Sequence, residues 1–288
     1  MRIPIASDND PMILALKLKA SKPKTPIRIR VADADMPNTS YTDREAELTG
    51  TKTFYMHMPR TGKLIIADAF RLGTSPRDKD SELTLVSKEI YPVQLIPQII
   101  DNKSELAKCG FEFIQKFSQN AGWLSAGEGG SVYKSDCGRF RVDYMDVIRD
   151  TAETVPLSRL RKLGQGEVDR PVKNPNYGKQ LSTPMRISTD RGIIQASALY
   201  IRPKPVSERV GIGTHELGHF YLNSDQHSEE EADYNAVKMV LGNGYGFIDT
   251  RNAFLNVFQN AQTDQNQVRD QKIYDLIDSI EKKYNKYY

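Results

Sequence analysis

Three of the chain's four histidines, His215, His219 and His227, fall within thirteen positions, and the first two enclose a glutamate, Glu216, in the pattern H-E-x-x-H. Side chains four apart on an α-helix lie one above the other, so both imidazoles can aim at a single ion. Imidazole nitrogen at about 2.0 to 2.1 Å suits zinc, and a catalytic zinc site keeps three protein ligands plus one water. Glu216 stands about 100° round the helix from His215, within reach of that water as a general base.

A third ligand has to come from downstream. The segment "SEEEADYNAVKMVLG" opens with Ser228 three residues before Glu231, a capping-box pattern, and closes at Gly242, which predicts a helix over 229–241. On that helix Glu229, Ala232, Asp233 and Ala236 share a face with Val240. Two acids among alanine and valine are costly to bury without a cation or hydrogen-bond donors to meet. Glu229 as a ligand, with Asp233 orienting a ligating histidine, supplies both partners. The run of three glutamates leaves Glu230 and Glu231 as alternatives, and Asp225 and His227 are rivals in the connection. A donor for a developing oxyanion is within sequence reach at His227, Tyr221, Tyr234 and Tyr245, with His227 and Tyr245 preferred.

His-Glu-Leu-Gly-His followed by Glu-x-x-Ala-Asp resembles the gluzincin group of zinc metallopeptidases, in particular families with an E-x-x-A-D or E-x-x-A-N second helix. These include CAAX-prenyl-protease-like enzymes and peptidases that cleave phage repressors. The resemblance implies His215, His219 and Glu229 as zinc ligands, Glu216 as general base and Asp233 as a partner behind the ligands. It covers about 182–246, roughly a fifth of the chain. The nine-residue connection from His219 to Glu229 is shorter than usual for that group. Some zincins with short spacers place a ligand at the position of Asp225, but they need a glycine where this chain has Leu222. The implied reaction is hydrolysis of a peptide bond in a peptide or protein substrate, with zinc as the cofactor.

Other elements must hold these residues in place. Up to about residue 91 the chain alternates short apolar runs, "MILALKLKA", "PIRIRVADA", "TKTFYMHM", "KLIIADAF" and "ELTLVSKEI", with turn-forming connectors. They predict an antiparallel sandwich or barrel-like module over 1–95, with His57 a structural histidine within it. Leu106, Cys109, Phe113 and Phe117 then recur at helical spacing. Hairpins are expected about Asp136 to Gly138 and at "TDRG". A short helix is expected in "VPLSRLRKL", and two more over 250–261 and 267–286. "QASALYI" reads as an edge strand able to take an extended peptide by β-augmentation, and Ser207 as the cap of the H-E-x-x-H helix. The whole is α+β, a β module followed by a zincin-like domain over 96–288.

Composition narrows the partners. Forty basic against 37 acidic residues give a net charge of +3, so no global field favours nucleic acid or an anionic membrane. The basic cluster from Lys17 to Arg30 lacks interleaved aromatics and reads as a solvated sheet face. No apolar run reaches the roughly 20 residues of a membrane span, and the first residues do not form a signal peptide. A cytoplasmic location is expected, or a virion if the chain is phage-encoded. The two cysteines, Cys109 and Cys137, read as reduced thiols, with a single disulfide between them as the lesser alternative. The β module is a candidate docking surface for protein partners. The overall arrangement also weakly resembles peptidase-like proteins of tailed-phage virions, which implies an alternative role as a component of a larger assembly with little or no activity.

Overall fold

The computed structural model describes residues 1–5, 12–35, 40–58, 64–72, 83–93, 105–121, 131–144, 181, 183–188, 192–259 and 263–284. The expected helix in "VPLSRLRKL" lies outside them. Strands lead and helices follow, giving an α+β chain.

Seven strands come first: β1 (Arg2–Ile5), β2 (Met12–Ala20), β3 (Thr25–Asp33), β4 (Ser40–Leu48), β5 (Thr51–Met58), β6 (Ile65–Arg71) and β7 (Leu83–Pro92). They form two antiparallel sheets, ordered β1-β6-β3-β4 and β5-β2-β7. Alternation places Leu14, Leu16, Leu18 and Met56 of one sheet in a common core with Ile27, Ile29, Val31 and Ala67 of the other, so the module is an open sandwich. Each such Leu or Ile contributes about 1.5 to 3 kcal/mol through burial. The five expected strands are present. β1 and β4 were not anticipated, because β1 is only four residues long and β4 reads "SYTDREAEL", too charged for a strand pattern. Ion pairing resolves those charges: Arg28 of β3 makes a bidentate bond to Asp43 at 2.6 Å.

Helix α1 (Glu105–Asn120) leads to a third, mixed sheet built from two hairpins, β8 (Ser131–Lys134) with β9 (Arg141–Tyr144) and β10 (Met185–Ser188) with β11 (Ile193–Ala196). The order is β10-β11-β9-β8, with β11 parallel to β9, so β10 is a sheet edge. The expected edge strand in "QASALYI" is therefore corrected. Its first half is the interior strand β11 and its second half is a helical turn, α2 (Ala198–Ile201).

Helix α3 (Val206–Leu217) carries the first half of the motif and runs directly into a π-helical turn, Gly218–Leu222. Pro205 occupies its N-cap, so Ser207 is a buried residue of the first turn and not the cap. α4 (Glu229–Gly242), α5 (Phe247–Gln259) and α6 (Asp264–Tyr284) complete the fold. α3 is packed on all sides because three glycines remove its Cβ atoms where neighbours come close. A Cβ on Gly213 would lie 2.8 Å from Ile114 of α1, one on Gly211 2.6 Å from Ala253 of α5, and one on Gly218 3.0 Å from Ala232 of α4. Gly218 is the contact that lets α4 approach the end of α3. The buried Arg209 locks the N-terminal end of α3 by donating to the carbonyls of Ile201, Ser118 and Arg202.

Cys109 and Cys137 form a disulfide, which overturns the expectation of free thiols. α1 crosses the β8–β9 turn with the two Cα atoms 6.5 Å apart, a proximity that a spacing of 28 residues does not reveal.

Candidate metal centre

Helix α3 and the π-turn that continues it deliver His215 and His219 as their spacing requires, with ring centroids 4.7 Å apart and the rings nearly perpendicular. The chain then has nine residues in which to turn and bring Glu229 back. Three local devices achieve this. The π-turn tightens the end of the helix and is closed by the Asn223 N–H donating to Gly218. Asn223 Nδ2 donates to the Ser228 carbonyl at 2.9 Å, and Asn223 Oδ1 accepts from Asn235. Glu231 then folds back, its carboxylate accepting from the Ser224 N–H and Oγ and from the Asp225 N–H. Ser228 caps α4 as the sequence predicts, accepting from the Glu231 N–H.

This arrangement separates the three glutamates. Glu231 pins the turn, and Glu230 pairs on the surface with Lys272. Glu229 alone of the three reaches the histidines, one oxygen 3.3 Å from His215 Nε2 and the other 3.6 Å from His219 Nε2. The two Nε2 atoms are 3.1 Å apart. Bonds of about 2.0 to 2.2 Å at tetrahedral angles separate neighbouring ligand atoms by about 3.3 to 3.5 Å. His215, His219 and Glu229 therefore present donors at metal-binding spacing.

The surroundings fix which nitrogen of each ring is free. His215 Nδ1 lies 2.9 Å from Asp233 Oδ1, and His219 Nδ1 lies 2.8 Å from the Gln226 carbonyl. Both acceptors demand an N–H, so each ring turns an Nε2 lone pair toward the other and toward the Glu229 carboxylate. Converging lone pairs repel unless a cation lies between them. A proton meets the same need: burial alone depresses His215, but its hydrogen bonds with Asp233 and Glu229 outweigh that and carry it up to about 10. His219 is held below the ordinary range by burial and by its neighbour His215. Glu229, hydrogen-bonded to His215, is drawn down to about 2 against the opposing effect of burial.

Glu216, buried on the same helix, has its carboxyl pushed up to about 7 by burial, with His215 and a backbone hydrogen bond from Ile187 opposing. Ile187 belongs to edge strand β10, so the strand and the glutamate are directly linked. A cavity of about 730 Å³ opens on these residues. Met185, Arg186 and Ile187 of β10 form one wall and Phe254, Val257 and Phe258 of α5 another.

The remaining candidates are dispersed. His227 is exposed and lies on the cavity wall. Asp225 is exposed and accepts from the His227 N–H at 3.0 Å, outside the ligand cluster. Tyr245 is corrected from oxyanion donor to core residue: its hydroxyl accepts from Gln115 and its ring packs edge-on against Phe111. Tyr221 points its hydroxyl at the Ala107 carbonyl, and the exposed Tyr234 lies under Lys238. His57 is buried, as expected of a structural residue.

One participant carries no sequence signal. Arg269 of α6, in the ordinary charged helix segment "NQVRDQ", places Nε 2.7 Å from Asp233 Oδ2 and Nη2 3.0 Å from both Asp233 Oδ1 and Glu229 Oε2. Its distance of 36 residues from Asp233 hides the contact from any local pattern.

No family model matches the chain, and neither curated proteins nor solved structures match it. The site is therefore read from its geometry.

Proposed function

We propose that this chain is a zinc-dependent endopeptidase of the gluzincin kind. The observation that carries the reading is the convergence of His215 Nε2 and His219 Nε2, 3.1 Å apart, on the Glu229 carboxylate, whose Oε2 lies 3.3 Å from the first and Oε1 3.6 Å from the second, with both imidazole tautomers fixed from behind. Zinc held by these three residues would polarise a carbonyl and activate water as a nucleophile near neutral pH.

The chain's own residues supply the rest. Glu216, with its carboxyl near 7, accepts a proton from the attacking water and returns it to the departing amine, the two halves of general acid–base catalysis. Edge strand β10 runs along the cavity, where an extended peptide can add as a further strand. His227 on the cavity wall is the donor assigned to the oxyanion. Its placement on the wall, which Tyr221, Tyr234 and Tyr245 do not share, supports that role. Phe254, Val257 and Phe258 give the cavity an apolar wall beside the reacting groups.

The test begins with metal content of the purified chain by mass spectrometry. Stoichiometric zinc in the wild type and in Asp225→Ala, with loss in Glu229→Ala, is expected; a metal-free wild type sinks the proposal. Cleavage of casein or a peptide library is then compared with Glu216→Gln, which should retain zinc and lose about 10² to 10⁴ in rate. A zinc-loaded wild type as inactive as Glu216→Gln points to the assembly role instead.

A further inference from the structure

A ligating carboxylate can engage a metal through one oxygen or both, and the choice decides whether a coordination position stays free for water and substrate. We infer that Arg269 makes this choice for Glu229, engaging Oε2, which lies 3.3 Å from His215 Nε2, and so leaving Oε1, 3.6 Å from His219 Nε2, to ligate. The inference rests on the metal reading above.

Arg269 is built to hold its position. Its guanidinium makes the two-point contact with Asp233, at 2.7 and 3.0 Å, and Nη1 donates to Asn266 at 3.4 Å. It also lies over the Phe258 ring, 5.0 Å from the centroid. Only 12% of the side chain is exposed, against 48% for Glu229. The arginine is thus the fixed partner and the glutamate the adjustable one. Nη2 is shared between Asp233 Oδ1 and Glu229 Oε2 at 3.0 Å each, so one nitrogen ties the third ligand to the acid that orients His215. A planar fork can satisfy both carboxylates together, whereas an ammonium in the same place acts as a single point charge. The last long helix of the chain thereby sets the geometry at a site whose ligands lie 40 or more residues earlier. Arg269 touches no reacting atom and is a positioning residue.

The full chain loaded with cobalt(II) in place of zinc tests this, since the visible band of four-coordinate cobalt is stronger than that of five-coordinate cobalt. Wild type is expected to show the strong band. In Arg269→Ala, Glu229 is free to ligate with both oxygens, so most of the band intensity should be lost and zinc affinity should fall about 10- to 100-fold. Arg269→Lys keeps the positive charge opposite Asp233 without the fork; it should fold like wild type and still show the weak band. It carries the same test if Arg269→Ala fails to fold. A folded Arg269→Ala with the wild-type band overturns the inference, as does full restoration of the band by lysine. A wild type that takes up neither cobalt nor zinc overturns the metal reading, and this inference with it.

Discussion

Two aspartates in this molecule are clasped by arginine forks in closely similar surroundings, yet only one of them belongs to a site. Asp249, in the first turn of α5, accepts from Arg44 and Thr42 of strand β4; its side chain is 4% exposed and that of Arg44 14%. Asp233 accepts from Arg269 with exposures of 5% and 12%. Burial does not distinguish them. Around Asp249 one negative charge meets one guanidinium and a hydroxyl, which leaves nothing for a ligand to satisfy. Around Asp233 the carboxylates of Glu229 and Glu216 add two further negative charges, while Arg186 beside Glu216 adds one positive. With both imidazoles neutral and Glu216 ionised, the balance is one uncompensated negative charge, which a proton on His215 or a cation between the imidazoles can meet. A closed pair fastens two parts of a fold, whereas an open count calls for a cation.

Breaking the closed pair is expected to have the largest effect on stability. Asp249→Ala leaves Arg44 buried without its carboxylate and should lower the unfolding free energy by about 3 to 5 kcal/mol in urea titrations. Replacing both partners, with Arg44→Met and Asp249→Leu, should recover most of that loss, since a well-packed apolar pair is often as stable as a buried ion pair. A double variant as unstable as the single one breaks the view of this contact as a simple fastening.

The open count predicts a stability increment of its own. Zinc at about a thousand times its dissociation constant should stabilise the wild type by about 4 kcal/mol, read as a rise in melting temperature that chelation reverses. The same rise should survive in Asp249→Ala and vanish in His215→Ala. Its loss in Asp249→Ala shows instead that the two regions are coupled.

A smaller effect concerns His57, which packs beside Gly246 and Asp249 at the junction. Burial lowers it from 6.5 to about 4, with Arg44 reinforcing the shift and Asp249 opposing it. The unfolded chain therefore takes up a proton at higher pH than the folded one. Stability from the neutral, buried form is present above 6.5 and falls away as pH drops through about 4, by on the order of 3 kcal/mol. His57→Gln should flatten that part of the pH–stability curve measured without metal. An unchanged slope removes His57 as its cause.

The regular elements were legible wherever burial follows a period. Five alternating runs became strands, both hairpins formed where Asp136–Gly138 and "TDRG" placed them, and the Ser228 cap began α4. The last two helices start three residues before the positions expected. β4 escaped because its charges are resolved by partners on β3 and α5, and alternation cannot register an ion pair. "QASALYI" misled because an interior strand and a helical turn share one apolar run.

By itself the sequence determined the chemistry on offer: two imidazoles and a carboxylate on one helix, and acids on the next. Helical periodicity fixes both sets, and each lies within a few residues of itself. Tertiary structure alone decided which of Glu229, Glu230, Glu231 and Asp225 reaches the histidines, because that depends on how the Glu231 side chain closes the turn. It also decided that Arg269 completes the cluster, that Tyr245 belongs to the core and that Cys109 meets Cys137. Each of these contacts joins residues that no local period connects, and only packing of the helices around the glycine-notched α3 brings them within reach.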